Sequence, residues 1–153
     1  TIDSVESRKS SRVSLRDAEA LPLHATASGL TVLAYSDGAV MTGALVGRLK
    51  RFTPHTETDR GAIAQMLADI RHQGFAVADQ SYELDVYGVA APVYGRDDRV
   101  IGAIAVATPC HRLDPDLKST IVKAVIASAV ETTRKLGTEP PASYLQASSR
   151  RAA

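Results

Sequence analysis

Hydrophobic residues recur along this chain first at helical spacing, then at strand spacing, then at helical spacing again. Residues 25–35 form an alanine-rich run with Leu30 and Leu33 three apart, and Ser28 is placed to cap its first turn, which predicts a helix. Ser36-Asp37-Gly38 interrupts it, and residues 39–49 read as a second short helix. Behind Thr58 as a cap, Ile63, Met66, Leu67 and Ile70 fall at i, i+3, i+4 and i+7, with Gly74 past the last turn. The period then drops to two. Residues 75–79, 86–94 and 100–108 read as strands, and the turn-forming run Gly95-Arg96-Asp97-Asp98 predicts an antiparallel hairpin from the last two. A long helix follows, capped by Asp114, with Pro115 at its first position and Gly137 as its stop. Leu117, Ile121, Ala124, Val125 and Ser128 mark its expected inner stripe. The flanks carry less pattern. Residues 1–20 are polar, with an alternation at Ser11-Arg12-Val13-Ser14-Leu15 that suggests an edge strand. Residues 138–153 lack periodicity and are expected to be a disordered tail.

Alternate residues of a strand point to opposite faces, so the hairpin sorts into two surfaces. One collects Val89, Ala91, Val93, Val100, Ile104 and Val106, a branched surface suited to packing under the long helix. The other collects Gly88, Ala90, Ala103, Ala105 and Ala107. Such small residues are depleted in strands because they pack little surface. Two readings stay open: close approach of a helix or second subunit, or a cavity in which small side chains leave room for a ligand.

Composition narrows the function. The chain has 153 residues, 44% hydrophobic and 23% charged, enough for one domain with a real core. Eighteen Lys and Arg against seventeen Asp and Glu give a net charge of +1, without the basic surplus that phosphate contacts need. Nothing in the sequence resembles a secretory signal or a membrane span. Cys110 is the lone cysteine, which excludes an internal disulfide and fits a reducing, cytoplasmic setting. Cys110-His111 places a nucleophile beside a base, but adjacent loop residues seldom orient productively, and no catalytic residues are assigned. His24, His55, His72 and His111 lack metal-ligand spacing, so neither metal nor cofactor is expected. Asp97-Asp98 reads as a solvated turn. Tyr94 is in phase with Gly88 near the strand end, where two readings stay open: reach to a ligand, or core or rim packing.

Leu21 to Gly29, then Ile70 to Val77 with Gly88 to Tyr94, then Ala103 to Pro109 with Arg112-Leu113, together resemble the effector-binding domain of IclR-type transcription regulators. Leu21-Pro22-Leu23-His24-Ala25-Thr26-Ala27-Ser28-Gly29 is similar to the family's entry into its first effector-domain helix. Ile70-Arg71-His72-Gln73-Gly74-Phe75-Ala76-Val77, followed by Gly88-Val89-Ala90-Ala91-Pro92-Val93-Tyr94, resembles its central strands. Ala103-Ile104-Ala105-Val106-Ala107-Thr108-Pro109 with Arg112-Leu113 resembles the strand and turn before its last long helix. The resemblance implies an α+β, GAF-like fold: a curved antiparallel sheet flanked by helices, spanning residues 1–137. It implies a small-molecule effector and a homodimer or homotetramer, with DNA bound only through a winged helix-turn-helix that is absent here. On this reading the chain begins inside the effector domain, near Asp3-Ser4-Val5-Glu6.

The departures from the family shape the expected ligand. The family's Asp, Cys and two Ser on the pocket walls fall on Ala78, Gly88, Ala105 and Ala107, and a frequent Glu falls on Ser81. Alanine and glycine cannot supply the hydrogen bonds that offset desolvation of a small oxoacid. The effector is therefore expected to be larger or more apolar than glyoxylate, an aromatic or cyclic metabolite for instance. Backbone N–H groups near Ala27, Ser28 and Gly29 would hold its carboxylate. Ligand-binding candidates are thus Ala27, Ser28, Gly29, Ala78, Gly88, Ala90, Ala105 and Ala107. The alternatives are a GAF-like oligomerisation module without a ligand and, less in keeping with one cysteine, a GAF-like enzyme.

Overall fold

Among the described residues, three antiparallel strands, in the order β1-β2-β3, separate two helical layers. The computed structural model describes Asp3, Val5 and residues 21–152, so the alternation at residues 11–15 lies outside the described residues. Helices α1 (Ala27–Tyr35), α2 (Gly38–Ala44) and α3 (Arg60–Gln73) precede β1 (Ala76–Asp79), β2 (Val86–Tyr94) and β3 (Val100–Pro109). Helices α4 (Pro115–Lys135) and α5 (Ala142–Ala152) complete the chain. The predicted hairpin forms, pairing Gly88 with Ala107, Ala90 with Ala105 and Ala91 with Ile104.

The helix ends show which polar groups take the unpaired backbone donors of a first turn. Thr26, not Ser28, caps α1, its side chain accepting from the Gly29 N–H. Asp59, not Thr58, caps α3; the Thr58 hydroxyl instead accepts from Arg51 at 3.0 Å. Asp37 caps α2, which ends at Ala44, five residues earlier than the pattern at residues 39–49 predicts. Gly74 (φ 86°) closes α3 and Gly137 (φ 82°) follows α4, both left-handed as a glycine stop requires. Asp114 caps α4 by accepting from the Leu117 N–H at 2.7 Å, with Pro115 next. Asp114→Ala should lower stability by about 1 kcal/mol in a urea melt.

Helix α4 covers the branched face of the sheet, where Val89, Ala91 and Val93 pack with Phe75, Tyr87, Val125 and Ala129. Its inner stripe is Ile121, Val122, Val125, Ile126, Ala129 and Thr133, whereas Leu117, Ala124 and Ser128 are exposed. Val106 is 38% exposed at the sheet margin. A register shift between Val93 and Tyr94 precedes the Tyr94–Val100 pair. Such an irregularity reverses the alternation, and Val100 lies beside Tyr35 of α1 rather than under α4.

Helix α5 corrects the expectation of a disordered tail. Tyr144, Leu145, Ala147 and Ser148 face inward at helical spacing, and Tyr144 is almost fully buried. Two of those four side chains are Ala and Ser, so the stripe escapes a reading based on large apolar residues.

Candidate functional site

Helix α1 lies along β2 on the small-residue face. A Cβ on Gly88 would come within 3.3 Å of the Ala27 Cβ and 3.8 Å of the Ala78 Cβ. Ala27, Ala78 and Ala90 form one buried cluster with Ala103 against it. One turn on, the buried Thr31 hydroxyl donates to the Ala90 carbonyl at 3.3 Å. Small residues in β2 thus permit close approach of a helix, the blander of the two readings of this face. Ala90 is fully buried under α1. Ala105 and Ala107, across the ladder on β3, are exposed beyond the helix.

The eight candidate residues therefore divide. Ala27 and Ser28 form the first turn of α1; Ala78 and Gly88 lie against it; Ala105 and Ala107 extend the same face to the surface. The Gly29 N–H is already engaged by the Thr26 hydroxyl at 3.2 Å, which removes it as an anion donor. A Cβ on Gly29 would lie 2.5 Å from the Leu23 Cα, so its glycine serves packing.

Three loops clasp this end of α1. The Thr26 hydroxyl donates to Pro22 O at 2.9 Å, and Ser81 Oγ donates to Ala25 O at 3.0 Å. Thr53 and Thr56 reach the carbonyls of Gln80 and Ser81, each at 2.6 Å. His24 Nε2 pairs with Lys50 O at 2.9 Å and its ring meets Phe52, which contacts Tyr82 edge-on. His24 is thus a loop-positioning residue. The Thr-Thr clasp escapes sequence reasoning because its partners are backbone carbonyls about 25 residues away, as at Thr56–Ser81.

The remaining candidates are structural. Burial, then the neighbouring Asp79 and Asp85, raises the Cys110 thiol pKa, opposite to what a thiolate nucleophile needs. Tyr94 packs against Tyr35 and Tyr144, with its backbone N–H donating to the Thr133 hydroxyl. An open cavity of about 500 Å³ lies at the other end of α1, lined by Tyr35, Ser36, Asp37, Val40, Asp98, Arg99 and Val100. Among the described residues, no group of three or more His, Cys, Asp or Glu side chains could hold a metal ion. No helix there is long and apolar enough to cross a membrane.

The family model for the C-terminal region of the bacterial transcriptional regulator IclR matches residues 1–134. The chain belongs to the IclR family. This IclR domain is 32% identical to the Pca operon regulatory protein of Acinetobacter baylyi over 117 residues, 76% of this chain and 41% of that protein. It is similar to a crystal structure assigned to an IclR transcriptional regulator from a Silicibacter species. That likeness has a TM-score of 0.84 and 40% identity over 90% of this chain and 54% of the other. It also resembles the inducer-binding domain of the PobR transcription factor from Acinetobacter, solved as a double mutant with 3-hydroxybenzoic acid. There the TM-score is 0.68 and the identity 28%, covering 74% of this chain and 66% of the other. The IclR domain spans about half the length of the curated relatives it matches. The α+β, GAF-like architecture implied by the sequence motifs agrees with these structures.

Proposed function

We propose that this IclR domain senses a small organic effector at the N-terminal end of α1. The observation that carries the reading is one juxtaposition. The first turn of α1 rests on Gly88 and Ala78, while the adjoining Ala105 and Ala107 remain open to solvent. The N–H groups of Ala27 and Ser28 face no intrahelical acceptor, and a helix N-terminus favours an anion. Beside them the walls are methyl groups and bare backbone. That combination suits a carboxylate attached to a flat apolar body, an aromatic or cyclic acid, and suits a small oxoacid poorly. The 3-hydroxybenzoic acid bound by the PobR domain supports this class of ligand. Sensing without catalysis accords with relatives named as regulators, and DNA would be read by another part of the full regulator.

A thermal-shift comparison tests the ligand class. Near 100 Kd, a benzoate-type acid should add about 2.7 kcal/mol and raise the melting temperature by several degrees. Glyoxylate at millimolar concentration should leave it unchanged. The reverse ranking would overturn the proposal.

A second reading, assembly through the β3 side of the sheet, is favoured by its apolar margin, where Ile101 is 61% and Val106 38% exposed. The two readings are compatible in a homodimer or homotetramer. Sedimentation should show self-association at tens of micromolar, through an interface above about 1,000 Å². A strict monomer would leave sensing alone.

A further inference from the structure

Helix α5 lies beyond the residues that match the family model, and it is seated on α1, β2 and the end of α3. The Tyr144 ring sits 5.3 Å from the Tyr94 ring on β2 and 6.5 Å from the Tyr35 ring on α1. Ser148 closes on Gly74 at the end of α3, where a Cβ would come within 3.3 Å of its backbone N. Ring packing and close fit make this seat. The side-chain hydrogen bonds of Ser148 and Ser149 turn back onto α5 itself, to Leu145 O and Gln146 O. The Tyr144 hydroxyl is buried, with no hydrogen-bond partner among the described residues. A buried, unpaired hydroxyl is destabilising relative to the same group in water. Opening would return that one hydroxyl to water.

Tyr35 faces two ways. Its ring meets Tyr144 edge-on, and it also lines the cavity beside Val40, Arg99 and Val100. We propose that α5 is a releasable strap, and that filling the cavity beside Tyr35 frees it. An occupant of that cavity presses on the Tyr35 ring and disturbs its edge-on contact with Tyr144. Once that contact weakens, the Tyr144 hydroxyl gains water by leaving, so a small displacement suffices to shift the balance. The device stands apart from the proposed effector site, which lies at the opposite end of α1.

Amide hydrogen exchange on the whole chain, read by mass spectrometry, tests both halves. Amides of residues 143–149 should exchange through local opening, well ahead of residues 63–70 of α3. Tyr144→Phe keeps the ring and removes the unpaired hydroxyl, so α5 exchange should slow at least fivefold while α3 is unchanged. Val40→Phe introduces a ring at the cavity from a half-exposed position. It should speed α5 exchange at least fivefold, with α3 and α4 unchanged. Equal exchange of α5 and α3 in the parent would overturn the strap. So would Tyr144→Phe leaving α5 exchange unaltered or faster. An unaltered or slower α5 in Val40→Phe would overturn the coupling to the cavity.

Discussion

Gly29→Ala should destabilise this domain by about 3 kcal/mol in urea melts, at the upper end of what overpacking ordinarily costs. The added methyl would stand 2.5 Å from the Leu23 Cα, 2.6 Å from the Leu23 carbonyl oxygen and 2.7 Å from the Thr26 Oγ1. Two of those three neighbours are backbone, which cannot swing aside as a flexible side chain would. The third is the hydroxyl that caps α1, so relief of the clash loosens the cap and its bond to Pro22. Gly38→Ala is the control, since no atom lies within 4 Å of its added methyl. Comparable losses in both variants would mean that α1 enters its helix differently from this description.

Ala90→Leu and Ala105→Leu should part company although the two residues face each other across the ladder. Ala90 is sealed between α1 and β2, and three added carbons would drive the helix off the sheet, costing about 2–3 kcal/mol. Ala105 is exposed, and its leucine should leave stability within about 0.5 kcal/mol. The same leucine should abolish stabilisation by a benzoate-type acid, because it covers the open part of the proposed site. Equal destabilisation by both would make Ala105 ordinary core. Retained ligand response in Ala105→Leu would move the site elsewhere.

The sequence made most of the scaffold legible because its long elements carry redundant signals. Helix α3 has four apolar residues at helical spacing and a glycine stop, and α4 has a cap, a proline and a glycine; each survived small errors of phase. Caps were harder. Thr26 and Ser28, or Thr58 and Asp59, are chemically alike as caps, and only the backbone path decides between them. The small-residue face was visible as a pattern, but close helix approach and an open binding surface need the same residues. Structure separates them at one strand: β2 lies under α1, and the outer part of β3 does not. Gly29 resembled an anion donor until the competing Thr26 oxygen was in view. The face taken by Val100 is not legible in the sequence, because the register shift at Val93/Tyr94 has no signature in side-chain chemistry.

The chain has five tyrosines and no tryptophan, so its near-ultraviolet absorption and intrinsic emission come almost entirely from phenol rings. Three of the five, Tyr35, Tyr94 and Tyr144, stand within 6.5 Å of a neighbour in the one cluster that ties α5 to α1 and β2. Burial raises all three phenol pKa values, that of Tyr35 to about 12 from an ordinary 10.0. The phenolate band of the folded protein should therefore rise late in an alkaline titration. The cluster's contribution to stability is intact below pH 10 and drains away as the pH climbs toward about 12, since the unfolded chain ionises first. The protein carries its own optical gauge, and most of what that gauge reads is concentrated at a single joint of the fold.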